Sequence, residues 1–259
     1  MARTILDAQL HDIRIEIVKL GTLVATALDF ALQALQTRDQ ALYSQVIEAD
    51  KTINDLRFEI EQLAFRALTL QQPLAGYDLR FLSSIPSIVA DLERAGDNAA
   101  GIAKVLLLMT PKDGPAIYQV SPHPTVVVNR DQKPLSNHVI REASIISKLL
   151  DLGQEARRVL QGTMHAFEQN DAGAARKIWK EDDVVDVCYH ITRHDLMTML
   201  TSIHAIPALQ QDALILQRMT YWLWIAHNLE RVGDHCTNIC ERTVFFLEGD
   251  RVIQPTEAE

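Results

Sequence analysis

Residues 90–102 (ADLERAGDNAAGI) and 227–239 (HNLERVGDHCTNI) repeat one pattern, Leu-Glu-Arg-x-Gly-Asp, each within a long stretch of helically spaced apolar residues. On a helix, positions i and i+4 lie one above the other on the same face. Glu93/Asp97 and Glu230/Asp234 are therefore two stacked carboxylate pairs. A chain that writes the same helix twice is constrained to fold as two like helical units.

The surrounding sequence obeys that constraint. Apolar residues Ile13, Ile17, Leu20, Val24, Leu28, Ala31 and Leu35 form the stripe of an amphipathic helix over residues 6–35. A second helix is predicted over 39–71, carrying Leu42, Val46, Ile53, Leu56, Ile60, Leu63 and Leu70 inward, with Pro73 and Gly76 ending it. A third is predicted over 77–109, with Pro86 inside it as a site for a kink. The second half repeats the plan over 136–168, 171–202 and from Pro207 or shortly after to 248. An offset of 132 positions takes Asp39 to Asp171, Val46 to Ile178, Asp50 to Asp182 and Asn54 to Asp186, whereas Glu93 to Glu230 is 137. The expected fold class is all-α, two tandem antiparallel three-helix bundles: repeats at 1–110 and 136–249, then a C-terminal tail at 250–259. Between the repeats, Pro111, Pro115, Pro122, Pro124 and Pro134 exclude helix, so 111–135 reads as a proline-rich linker.

Composition narrows the function. Twenty-five basic against 34 acidic residues leave a net charge of −9, which argues against nucleic acid as a partner and suits cations or basic partners, or simply solubility. Cys188, Cys236 and Cys240 make no even disulfide framework, so the expected compartment is reducing and cytoplasmic. The N-terminus lacks the apolar core of a signal peptide, and no stretch reaches the roughly 18 apolar residues of a spanning helix.

The carboxylates carry the chemistry. Glu230 and Asp234 sit on the shoulder of the apolar face that Trp222, Ile225, Ala226, Cys236 and Cys240 define, and Glu241 falls in the same column. The second helices offer Asp182/Asp186 and Asp50/Asn54, also four apart. If second and third helices pack side by side, up to four oxygen-bearing side chains converge at one level. They repel unless cations lie among them, and an oxygen-rich donor set suits Fe, Mn, Mg, Ca or Zn. A single Glu-x-x-x-Asp is ordinary decoration of a solvated face; its duplication, with Gly96 and Gly233 retained, favours a site. Glycine inside a helix costs about 0.5–1 kcal/mol relative to alanine, so its repetition points to close helix approach beside the acids.

Other residues read more plainly. His190 extends the Asp182/Asp186 stripe but corresponds to Phe58; His194 falls on the outer face. Cys236 and Cys240 are expected as buried small residues, and Tyr221, Trp222 and Trp224 as core filling rather than an exposed patch. No histidine follows a glutamate by three residues, so the Glu-x-x-His pairs of di-iron bundle enzymes are missing, as are the P-loop, G-x-S-x-G and H-E-x-x-H.

The twin LERxGD motifs on the last helix of each half resemble the PhoU family of phosphate-uptake regulators. Gln72-Pro73 followed by Asp78-Leu79-Arg80, Lys180 through Asp186 (KEDDVVD), and Asn238-Ile239-Cys240-Glu241 extend the likeness. The resemblance implies a cytosolic, non-enzymatic negative regulator of phosphate-starvation signalling, acting with the ATPase subunit of the phosphate ABC transporter and a membrane sensor histidine kinase. It also implies iron or zinc clusters held by Asp50, Glu93 and Asp97 in one half and by Asp182, Asp186, Glu230 and Asp234 in the other. The sequence departs from the family at Asn54, where an acid is expected, at Gly101, opposite Asn238, and in the longer linker. Alternatives of other kinds are a ferritin-like bundle metalloenzyme and an accessory of a different transporter. A homodimer is compatible with long amphipathic bundles.

Overall fold

The computed structural model describes residues 2–70, 73–110, 142–204 and 213–249. The expected linker at 111–135 and tail at 250–259 lie outside these residues, as do 136–141 and 205–212. The chain forms α1 (Ala2–Thr37), α2 (Gln40–Leu70), α3 (Gly76–Leu108), α4 (Glu142–Gln169), α5 (Ala172–His204) and α6 (Ala213–Glu248). No described helix is long and apolar enough to cross a membrane.

The two inter-helix turns that are described repeat each other in detail. Arg38 closes α1 in the left-handed region (φ 61°) and Asn170 closes α4 in the same way (φ 55°). The next residue caps the following helix: Asp39 Oδ1 accepts from the Ala41 amide at 2.9 Å, and Asp171 Oδ1 from the Ala174 amide at 2.8 Å. Asparagine tolerates the left-handed conformation readily and arginine does not. Arg38 is held there with its guanidinium 4.7 Å over the Trp222 ring of the other half.

Within each half the three helices pack on one another, α1–α2–α3 and α4–α5–α6. The halves join through α3 against α6 and α1 against α4, and one apolar core runs through both. The α1–α4 seam shows the symmetry. A Cβ on Gly21 would lie 2.5 Å from Met164 Cε, and a Cβ on Gly153 would collide with the Leu32 side chain. The 132-residue offset carries Gly21 to Gly153 and Leu32 to Met164. The halves are thus related by an approximate two-fold axis that exchanges the two contacts.

At one end, the Arg14 guanidinium of α1 lies 4.7, 5.2 and 5.8 Å from the rings of Phe81, Phe167 and Phe246. It also donates to the Phe167 carbonyl at 3.0 Å and the Tyr77 hydroxyl at 3.1 Å, binding elements of both halves. Two expectations about the core require correction. Leu63 and Leu70 are exposed, and Ala64 and Ala67 take the inward positions after Ile60 on α2. Trp222 is fully buried, but Trp224, about 200° further round the helix, is half exposed.

Candidate metal centre

In each half, the acids flank the contact between the second and third helices. The retained glycines are the local reason. A Cβ on Gly233 would stand 2.9 Å from Asp182 Oδ1 and 3.1 Å from Val185; on Gly96 it would stand 3.0 Å from Ile53. Val185 and Ile53 are equivalent under the 132 offset, so the glycines let α6 approach α5 and α3 approach α2 at the same place.

In the second half, Asp182 and Asp186 of α5 and Asp234 of α6 each present an oxygen within 4.8 Å of the others. Asp182 Oδ1 is buried and has no hydrogen-bond partner among the described residues. Burial first, and then repulsion from Asp186, Asp234, Asp183 and Glu230, push its carboxyl up to about 7. Burial and Asp234 raise Asp186, with His190 opposing. Burial and Asp234 likewise raise Glu230, whose Oε2 lies 3.0 Å from His227 Nδ1. Arg231 donates to Asp234 Oδ2 at 2.7 Å from the outer side. All three carboxylates are only partly exposed, and one buried oxygen of Asp182 is unpaired. A divalent cation satisfies such a set, supplying the charge and the coordination that the protein withholds. The residues present therefore fit a hard or borderline metal ion.

The first half brings together Asp50 of α2 with Glu93 and Asp97 of α3. Burial, a hydrogen bond to Asp50 and repulsion from Asp50 and Glu93 push Asp97 up to about 6, while Lys104 pulls it down. Asp50 Oδ1, like its equivalent in Asp182, is buried without a partner. Here protein cations stand close: Lys104 Nζ is 3.6 Å from Asp50 Oδ2, and Arg57 Nη1 is 4.0 Å from Glu93 Oε1. Asn54 turns its amide to the Asp50 carbonyl of its own helix at 3.1 Å.

The remaining candidates are placed as follows. Glu241 Oε1 accepts from Trp179 Nε1 at 3.2 Å, apart from the three-carboxylate group. Cys236 and Cys240 are buried, as expected; burial pushes the Cys240 thiol up to about 12, and its sulfur lies 3.4 Å from Thr163 Oγ1. His190 and His194 are exposed. Sequence reasoning missed one polar constellation. Asp91 Oδ1 of α3 lies 2.9 Å from His235 Nδ1 and accepts from Asn238 Nδ2 at 3.2 Å, within the seam between the halves. The signal was a polar residue just before Leu-Glu-Arg in both copies, Asp91 and Asn228, on a flank otherwise apolar.

The fold and the site together define a class: an all-α, twice-repeated three-helix protein with carboxylates clustered where the second and third helices of each half meet. The chain belongs to the PhoU family, whose domain matches residues 17–106 and again 149–243. It is similar to the phosphate-specific transport system accessory protein PhoU homolog of Streptococcus pneumoniae, 31% identical over 246 residues, covering 95% of this chain and 96% of that protein. The phosphate-specific transport system accessory protein PhoU of Escherichia coli is 28% identical over 243 residues, 94% of this chain and 85% of that protein. Among solved structures, the crystal structure of the phosphate transport system regulatory protein PhoU from Streptococcus pneumoniae superimposes with a TM-score of 0.74 at 27% identity, covering 96% of this chain and 100% of that chain. The crystal structure of PhoU from Pseudomonas aeruginosa gives 0.72 at 27% identity, over 94% and 99%.

Proposed function

We propose that this protein is a cytosolic, non-enzymatic regulator of phosphate uptake that represses phosphate-starvation signalling, and that a metal ion at the second-half carboxylates is part of its working form. Membership of the PhoU family, whose relatives carry the names of phosphate-transport accessory and regulatory proteins, supports the regulatory role. Its partners are the ATPase subunit of the phosphate ABC transporter and the membrane sensor kinase; a net charge of −9 suits docking on basic surfaces of either.

One observation carries the metal reading: three carboxylate oxygens within 4.8 Å, contributed by two helices, with the buried Asp182 Oδ1 unpaired. Asp182, Asp186 and Asp234 hold the ion, with Glu230 at its edge. Oxygen donors of this kind accept iron or zinc. The bound ion cross-links α5 to α6 and cancels their mutual repulsion. The two thiols beneath are held protonated by burial, which leaves the ligand set to oxygen.

Elemental analysis of the purified protein tests the metal. Wild-type protein is expected to carry iron or zinc, and Asp182→Asn with Asp234→Asn to lose it. Co-purification with the transporter ATPase subunit and the sensor kinase tests the regulatory role; retention of neither partner defeats it.

A further inference from the structure

The two halves are alike in backbone but differ in the balance of acids and cations at the seam of their second and third helices. Under the offset of 137 positions, Lys104 on α3 corresponds to Glu241 on α6; under that of 132, Asn54 corresponds to Asp186 and Arg57 to Tyr189. Three equivalent positions along the second and third helices therefore differ in the same electrostatic direction. The first half has exchanged an acid for an amide, another acid for an ammonium, and a phenol for a guanidinium.

The geometry shows these cations engaged. Lys104 Nζ stands 3.6 Å from Asp50 Oδ2, whose side chain is 16% exposed, and the same ammonium acts on Asp97. Arg57 reaches Glu93 at 4.0 Å and Glu61 at 3.1 Å. Asn54 is spent on a carbonyl of its own helix. In the second half, the residue at the lysine position is Glu241, which bonds to Trp179 and supplies no cation. Arg231 reaches Asp234 from the outer side at 2.7 Å, and Asp182, Asp186 and Asp234 converge with no cation on Asp182 among the described residues.

We infer that the metal site has been kept in the second half only, and that in the first half Lys104 and Arg57 are built-in counter-cations standing in for the ion. This rests on the metal reading above and narrows it from two centres to one. Like charges confined at a helix seam need a compensating cation; an ammonium and a guanidinium supply it in one half whatever the metal supply, and a free ion supplies it in the other. The charge compensation at the α2–α3 seam is therefore constitutive, and that at the α5–α6 seam is completed only when metal binds. The metal-sensing half is the C-terminal one.

Three variants of the full-length chain, titrated with Mn²⁺ or Zn²⁺ and followed by bound metal per chain and by the Tm shift on metal addition, test the inference. Asp50→Asn with Asp97→Asn should leave both readouts as in the wild type. Asp182→Asn with Asp234→Asn should lose both. Asn54→Asp with Lys104→Glu, which writes the second-half residues into the first half, should bind additional metal while keeping the wild-type helical circular dichroism. Metal lost from the first-half variant overturns the inference while leaving a metal protein, as does a folded Asn54→Asp/Lys104→Glu variant with no added metal. A wild type that binds neither ion, or a second-half variant that keeps all of it, defeats the underlying metal reading instead.

Discussion

His235 Nδ1 on α6 lies 2.9 Å from Asp91 Oδ1 on α3, and the pair is buried where the two halves of the molecule meet. The same carboxylate oxygen accepts from Asn238 and lies 3.8 Å from the Arg94 guanidinium. The two-fold repeat places its counterpart at the other end of the seam, where Asn228 stands against Gly101 and a Cβ on that glycine would lie 2.6 Å from Asn228 Oδ1. Gly101 is thus not a lost Asn238: it is the space that Asn228 occupies.

Removing Asp91 strips the buried His235 and the exposed Asn238 of a shared acceptor. Asp91→Ala is expected to lower unfolding free energy by about 2–4 kcal/mol, read by urea denaturation. Adding His235→Ala should cost less than the sum of the two single changes, because the groups share one interaction. Additivity would show that the pair is not coupled.

Gly233→Ala places a methyl carbon 2.9 Å from Asp182 Oδ1 and 3.1 Å from the Val185 side chain. The α5–α6 seam must open to admit it, at about 1–3 kcal/mol of stability. Since the displaced atom belongs to the cluster, metal affinity should fall as well. Gly96→Ala meets Ile53 methyl groups, from 3.0 Å, and Val24 at 3.7 Å, and should lower stability without changing metal content. Calorimetry with Mn²⁺ on both variants separates the two outcomes.

The metal-free protein should be more stable under mildly acidic conditions than at alkaline pH. Asp182, pushed from 3.8 up to about 7, holds a proton in the folded state over a range where the unfolded chain has lost it. The folded state therefore binds more protons between roughly pH 4 and 7, and stability falls as pH rises through that window. Asp97, pushed up to about 6, acts in the same direction. Melting the chelator-treated protein at about pH 5.5 and about pH 8 checks the sign; Asp182→Asn should flatten the slope. Metal reverses it, since the ion binds the deprotonated carboxylates and its stabilisation grows with pH.

Arg14 joins α1 to three phenylalanine rings and a backbone carbonyl from α4. Arg14→Ala is expected to cost about 1–3 kcal/mol through lost stacking and the lost hydrogen bonds to the Phe167 carbonyl and the Tyr77 hydroxyl. Arg14→Lys should recover only part of this, since an ammonium lacks the flat face. Thermal denaturation of the pair of variants decides it.

Much of this was legible in the sequence because helices write their own periodicity. The apolar stripes, the paired Asp39 and Asp171 caps and the acids four apart are local features, set by the turn of an isolated helix. So were the six helices of the described residues and the burial of Cys236 and Cys240. Apolarity alone makes Trp224 look like core filling because it does not say which side of α6 a residue is on; the position two residues after Trp222 does. Leu63 and Leu70 lost their inward places to Ala64 and Ala67, which only the closeness of α2 to its neighbours could select.

By itself, then, the order of residues determined the helices, their duplication and the identity of the acids that line each third helix, because all of these depend on contacts between near neighbours in the chain. The tertiary structure alone decided that α3 lies on α6, that Asp91 meets His235, and that Lys104 sits over Asp50 while Asp182, Asp186 and Asp234 converge. Charge compensation depends on distances across space between residues far apart in sequence, and those distances exist only once the two halves have packed.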